Sequence, residues 1–179
     1  MPSPGGVSKR ITSCLESLDS GDYESALIHL ILALDKTAKK RRPKKGVGAR
    51  IRGFVEDEEY LISVLATRNS ITDVKVDGLS FPQVIYKFGK SAILHEGKLD
   101  PRLTFNDRGS LHIGAVWNLP TPYITAICIC TVAAPENRDE QILQSFTAEI
   151  LDSTFDLNDL WGNRTEIQKR VDEFLGTKG

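Results

Sequence analysis

The sequence predicts a mainly α-helical fold: a helical bundle embellished by one small β-hairpin after its third strong helix. Three observations predict it. Tyr23, Ala26, Leu27, Leu30, Ile31, Leu34 and Ala38 recur at the helical period and form one apolar stripe. Val47, Ile51, Phe54, Leu61 and Leu65 form a second. Strand-like alternation is confined to short pieces bounded by Gly, Asn and Asp. The 179 residues are 40% hydrophobic and 26% charged, which fits one domain able to bury a core without disulfides. That domain is expected to span residues 1–179, with 1–6 and 176–179 as flexible tails.

The elements follow in order. Val7 to Leu18 reads as a short helix with Ser8 placed to cap it. Ser20-Gly21-Asp22 breaks the chain, and the first stripe then carries a helix to about Arg42, where Pro43 stops it. Gly46-Val47-Gly48 restarts a helix that runs to about Thr67, with Arg68-Asn69 as its C-terminal cap. Residues 71–79 alternate weakly around an Asp-Gly turn signal and read as a small hairpin or a loop. Phe81 to Leu94 is the third strong helix, with Pro82 in its first turn and Gly97 closing it. Leu103-Thr104-Phe105 and Leu111-His112-Ile113 flank Asn106-Asp107-Arg108-Gly109, which predicts a β-hairpin. Tyr123 to Ala133 is a buried helix, too short for the roughly 20 residues of a membrane span. Ser145 to Phe155 is ambiguous between helix and strand. Arg164 to Leu175 closes the chain as an amphipathic helix through Ile167, Val171, Phe174 and Leu175. Trp117 and Trp161 anchor packing or an interface.

Composition narrows the setting. Three cysteines, Cys14, Cys128 and Cys130, make no disulfide framework and suit a reducing cytoplasm. The opening residues carry no signal-peptide pattern, and no membrane partner is expected. The net charge is −1, but it is unevenly spread. Lys36, Lys39, Lys40, Arg41, Arg42, Lys44, Lys45, Arg50 and Arg52 fall within seventeen residues that contain no acid. Such a block attracts polyanions by counterion release, with Lys39, Lys40, Arg41, Arg42, Lys44, Lys45 and Arg50 as nucleic-acid contacts. It also suits the C-terminus of a helix and a solvated turn. The acidic run Glu56-Asp57-Glu58-Glu59 is expected to face water and offset the block.

Most catalytic patterns are absent. Neither His29, His95 and His112 nor Cys128-Ile129-Cys130 has zinc-ligand spacing, and four consecutive carboxylates point around a helix rather than at one ion. No metal and no cofactor are expected. A phosphate-cradling Walker loop and a serine-nucleophile elbow are both missing. His29 reads as a boundary residue, His112 as a strand residue, and the cysteines as small hydrophobes.

One segment stands apart, Lys90-Ser91-Ala92-Ile93-Leu94-His95-Glu96-Gly97. Ser91 and His95 share a helix face with Val84 and Phe88. Lys90 lies about 140° from His95 on a straight α-helix. Pattern alone leaves two readings, a core histidine bonded to Ser91 or a carbonyl, and a reactive one.

This segment resembles the signature of the HEPN superfamily, an arginine, a polar residue and then a histidine four to six positions beyond the arginine. His95 falls on the signature histidine, Ser91 on the polar position and Lys90 on the arginine. The resemblance implies a dimeric helical domain and a metal-independent endoribonuclease. His95 would then take the proton of an RNA 2′-hydroxyl, and Lys90, across a two-fold axis, would stabilise the phosphate charge. Lysine is a point charge without arginine's two-pronged grip, so this departure weakens that role. RNA and a second copy of the chain are the expected partners. Two other readings compete: a non-catalytic RNA-binding module using the basic block, and a structural protein whose helices around Phe88 and Tyr123 form an oligomer seam.

Overall fold

The structure, a computed structural model, describes residues 5–177 and is mainly α-helical. Helix α1 (Gly6–Asp19) and α2 (Tyr23–Arg41) lie side by side, joined by a tight reversal. Gly21 takes φ +74° there, a left-handed conformation that side chains resist. Asp22 caps α2 by accepting from the Ser25 backbone N–H at 3.0 Å. Helix α3 (Val47–Thr67) follows and ends where Arg68 adopts the left-handed region, as the sequence predicts.

The start of α1 differs from the expectation for Ser8. Gly5 is its N-cap, and Ser8 lies within the first turn. The Ser8 N–H donates to Glu140 Oε2 at 3.0 Å. A carboxylate far along the chain thus satisfies one free amide and opposes the helix dipole. Of the expected tails, residues 1–4 and 178–179 lie outside the described residues, whereas Gly6 begins α1 and Gly176 lies within the last helix.

Strands β1 (Lys75–Val76) and β2 (Leu79–Ser80) pair antiparallel about Asp77 and Gly78. Both turn residues have positive φ, as a two-residue hairpin requires. The next helix comes in three parts: α4 (Phe81–Val84), a π-helical segment (Ile85–Ser91) and α5 (Ala92–Glu96). Ser80 and Gln83 form a capping box at its start, and Gly97 ends it at φ +71°.

The expected hairpin after this helix does not form. Strand β3 (Leu103–Asn106) pairs in parallel with β5 (Trp117–Pro120), and β4 (His112–Ile113) pairs antiparallel with β5 from the other side. The order is therefore β3-β5-β4. The reason is burial: Trp117 and Leu119 are 2% and 1% exposed, so β5 takes the centre, where both edges are paired. Side-chain amides pin the register. Asn106 Nδ2 donates to Asn118 Oδ1 and to Ser110 O, and Asn118 Nδ2 donates to Thr104 Oγ1.

Helix α6 (Pro122–Ala133) is almost wholly buried and packs on α3 and α2. The ambiguous stretch after it resolves into strands, β6 (Thr147–Ile150) and β7 (Ser153–Asp156), paired antiparallel. Trp161 packs inward, its indole N–H donating to Asn158 Oδ1 at 3.1 Å. Helix α7 (Arg164–Thr177) closes the chain against α3 and α6. One hydrophobic cluster runs from Val7 to Val171. It contains Phe88 and Tyr123, 2% and 4% exposed, so these two cannot form the expected oligomer seam. Among the described residues, no helix is long and apolar enough to cross a membrane.

Candidate functional site

The segment singled out by sequence lies where the helix of residues 81–96 leaves the core. Phe88 and Gly89 are buried, and Gly89 is needed for the close approach to α2: a Cβ there would lie 2.7 Å from Ile31 Cδ1. Beyond Ser91 the helix projects outward, and Leu94, His95 and Glu96 are exposed. The π segment explains why the expected shared face fails. Its wider turn shifts the phase of everything after it, so Val84 and Phe88 point inward while His95 points to water. His95 makes no hydrogen bond among the described residues, so it is not a core histidine held by Ser91. Ser91 is half-buried.

Lys90 is placed differently from the expectation of a free phosphate-stabilising cation. Its side chain is only 14% exposed, and Nζ lies 3.3 Å from Asp35 Oδ2 on α2. The same carboxylate holds Arg50 of α3, with Arg50 Nε and a terminal nitrogen 2.9 and 2.8 Å from Oδ1. Two cations thus share one anion, and the trio ties three helical elements together. Net positive charge remains, but Lys90 is an anchored side chain. Lys87, Lys98 and Arg102 supply further positive charge around this end of the helix. Arg102 stacks on the Phe88 ring at 4.3 Å and grips Asp100, while Lys87 and Lys98 are exposed.

The basic block is divided. Arg41 lies over the Phe54 ring at 4.4 Å and is clasped by carboxylates: its Nε and a terminal nitrogen bond Glu136 at 2.9 and 3.1 Å, and its other nitrogen bonds Glu58 at 2.9 Å and Asp57 at 3.1 Å. Arg42 bonds Asp57 at 2.8 Å, and Lys40 lies 3.8 Å from Glu140. With Arg50 on Asp35, four of the seven expected nucleic-acid contacts are ion-paired within the chain, Lys40 while still exposed. Lys39, Lys44 and Lys45 are exposed and make no ion pair among the described residues.

The acidic run offsets this block as expected, but it does not all face water. Glu58 is 1% exposed and Glu59 8%. Glu58 also accepts from Arg164 of α7 at 2.9 Å. Burial pushes the Glu136 carboxyl up, and its Arg41 bonds more than reverse this, leaving it below the usual carboxylate range.

The remaining histidines carry no such arrangement. His29 Nδ1 accepts from an Arg10 guanidinium nitrogen at 3.3 Å. Partial burial, then the Arg10 charge, hold its pKa below the ordinary value and keep the ring neutral. His112 lies in β4, as expected. No group of three His, Cys, Asp or Glu side chains among the described residues is arranged to hold a metal ion.

One feature escapes the sequence reading: a cleft of about 270 Å³ lined by Arg52, Glu56, Glu59, Asp73, Lys75 and Gln83 among others. Its signal was available, since Arg52, Glu56 and Glu59 follow the spacing of one helix face. Taken as four consecutive acids, the run hides it.

Comparison with known proteins covers nearly the whole chain. A family model described as Rv1289 matches residues 6–174, from the first residue of α1 into α7. The chain belongs to the Rv1289 family. It is 25% identical over 188 residues to Rv1289-family relatives in Mycobacterium tuberculosis and Mycobacterium bovis, each described as an uncharacterized protein. The match covers 92% of this chain and 87% of each relative. No solved structure matches significantly. The Rv1289 match includes both the His95 segment and the 270 Å³ cleft.

Proposed function

We propose that the chain is a HEPN-like, metal-independent endoribonuclease that acts as a homodimer. The observation that supports this is the His95 imidazole, exposed and without a hydrogen-bond partner among the described residues, at the end of a helix rooted in the core by a π segment. A neutral ring in that position can accept the proton of an RNA 2′-hydroxyl as the oxygen attacks the adjacent phosphate. Positive charge for the developing oxyanion comes from the cations around this end of the helix, and the two-fold arrangement brings those of the second copy to His95. Lys90 acts here as a positioning residue. Through Asp35 it fixes the π segment against α2, and Ser91 marks where the helix resumes its α geometry.

Single-stranded RNA incubated with the protein in chelator tests this reading. The wild type is expected to cut, and His95→Ala to cut at least about a hundredfold more slowly, in line with loss of a general base. RNA left equally intact by both proteins would exclude the nuclease.

A second reading, non-catalytic RNA binding, is favoured by the three exposed lysines at the α2–α3 corner. It expects salt-dependent binding that weakens in the Lys39→Gln, Lys44→Gln, Lys45→Gln triple variant and ignores His95→Ala.

A further inference from the structure

The cleft beside α3 contains an electrostatic exception. The other buried or half-buried carboxylates described above each hold a cation: Glu58 has Arg41 and Arg164, Asp35 has Arg50 and Lys90, and Glu136 has Arg41. Glu59 has none among the described residues, although it is only 8% exposed. What it faces makes matters worse. Asp73 on the loop before β1 and Glu56 one helical turn back both add negative charge, and Tyr123 of α6 lies close enough for Glu59 to help burial push its phenol up to about 12. The Asp73 backbone amide offers Glu59 partial relief. Asp73 itself is held at φ +59°, in the left-handed region. The cations of the cleft are elsewhere. Arg52 is stacked at 5.2 Å on the Tyr86 ring, and Lys75 is exposed on β1. Neither forms an ion pair with Glu59.

An unmatched buried carboxylate that opens onto a cavity is a vacancy for positive charge. Arg52 lies seven residues from Glu59 on one face of α3, roughly 10 Å along the axis. The cleft therefore carries both signs of charge: Glu59 is buried in it, and Glu56, Asp73, Lys75 and the half-buried Arg52 stand around its opening.

We propose that this cleft binds a small zwitterion, a primary ammonium seated on Glu59 and Asp73 with its anionic group on Arg52 and Lys75. The ligand supplies the cation that the fold withholds from Glu59. Burial first, then the Asp73 and Glu56 charges, push the Glu59 carboxyl up to about 7. An incoming ammonium favours the ionised form, so binding at pH 6 releases a proton. The empty protein carries the opposite signature. Glu59 keeps its proton to higher pH when folded than when unfolded, so stability falls as pH rises from about 4.5 to about 7 and then levels off.

Isothermal titration with three probes of similar length tests the assignment: ε-aminocaproate, the diamine cadaverine and the diacid adipate. The zwitterion is expected to bind saturably and tightest, with a heat that depends on the ionisation enthalpy of the buffer. Glu59→Gln, close in shape and neutral, is expected to weaken it at least tenfold and to abolish the buffer dependence, and Arg52→Gln to weaken it while leaving proton release intact. Thermal melts check the fold of each variant, and Glu59→Gln is expected to flatten the loss of stability between about pH 4.5 and 7. Equal binding of cadaverine or adipate, no binding of ε-aminocaproate, or binding indifferent to Glu59→Gln would each overturn the proposal.

Discussion

Glu58→Ala is expected to remove about 1.5–3 kcal/mol of unfolding free energy, read as a fall in the urea midpoint at unchanged slope. Glu58 is 1% exposed and stands between two guanidinium groups, Arg41 from the end of α2 and Arg164 from the start of α7. Deleting it removes the carboxylate that both guanidinium groups share and leaves Arg41, itself 15% exposed, with Glu136 and Asp57 alone. The cost arises from the charge-assisted hydrogen bonds that both arginines lose in a poorly solvated place. Glu58→Gln tests that account, since it keeps the shape and one acceptor but removes the charge, and it should recover only part of the loss. Arg164→Ala should cost less, because Arg164 is 33% exposed and water can replace it beside Glu58. Added salt should change none of these differences much, as the network is screened by protein rather than by ions. A loss below about 1 kcal/mol for Glu58→Ala would show that the three helices do not depend on this junction.

That network also shows how far the sequence could be read. The long helices were legible because their evidence is local. The Tyr23–Ala38 stripe, Pro43, Gly97 and the Asp77-Gly78 turn each act within a few residues, and the structure has all four features where the spacing puts them. The three-stranded sheet was not legible. Leu103-Thr104-Phe105 and Leu111-His112-Ile113 look like hairpin partners, yet β5 comes between them because Trp117 and Leu119 bury more surface than β4 offers. Strand order is a competition among non-adjacent segments, and periodicity contains no term for it. The same limit applies to charge. A basic block and an acidic run fifteen residues apart look like two solvated surfaces until α2 and α3 pack, and then Arg41, Arg42, Asp57 and Glu58 become a single cluster. At the candidate site, exposure of His95 depended on the π segment, which no apolar spacing announces. Lys90 kept its charge but gained a partner, Asp35, 55 positions earlier in the chain.

Gly162→Ala is expected to cost about 2–5 kcal/mol, and its size separates two causes that usually travel together. Gly162 has φ +70°, which costs an alanine about 1–2 kcal/mol whatever surrounds it. A Cβ there would also meet the Arg138 side-chain Cβ and lie 2.6 Å from the Arg138 Cα. Those atoms belong to the main chain and its first side-chain carbon, so no rotamer change clears them, and overpacking adds about 1–3 kcal/mol. The Gly162 N–H donates to Val132 O at 3.1 Å, which ties this turn to the end of α6 and prevents it from swinging away. Gly109→Ala is the control. It shares a positive φ, +73°, but a Cβ there meets nothing within 4 Å. Its loss should equal the backbone penalty alone. Subtracting one urea-derived loss from the other gives the steric cost of the Arg138 contact, and two equal losses would mean that the segment after α6 shifts freely to make room.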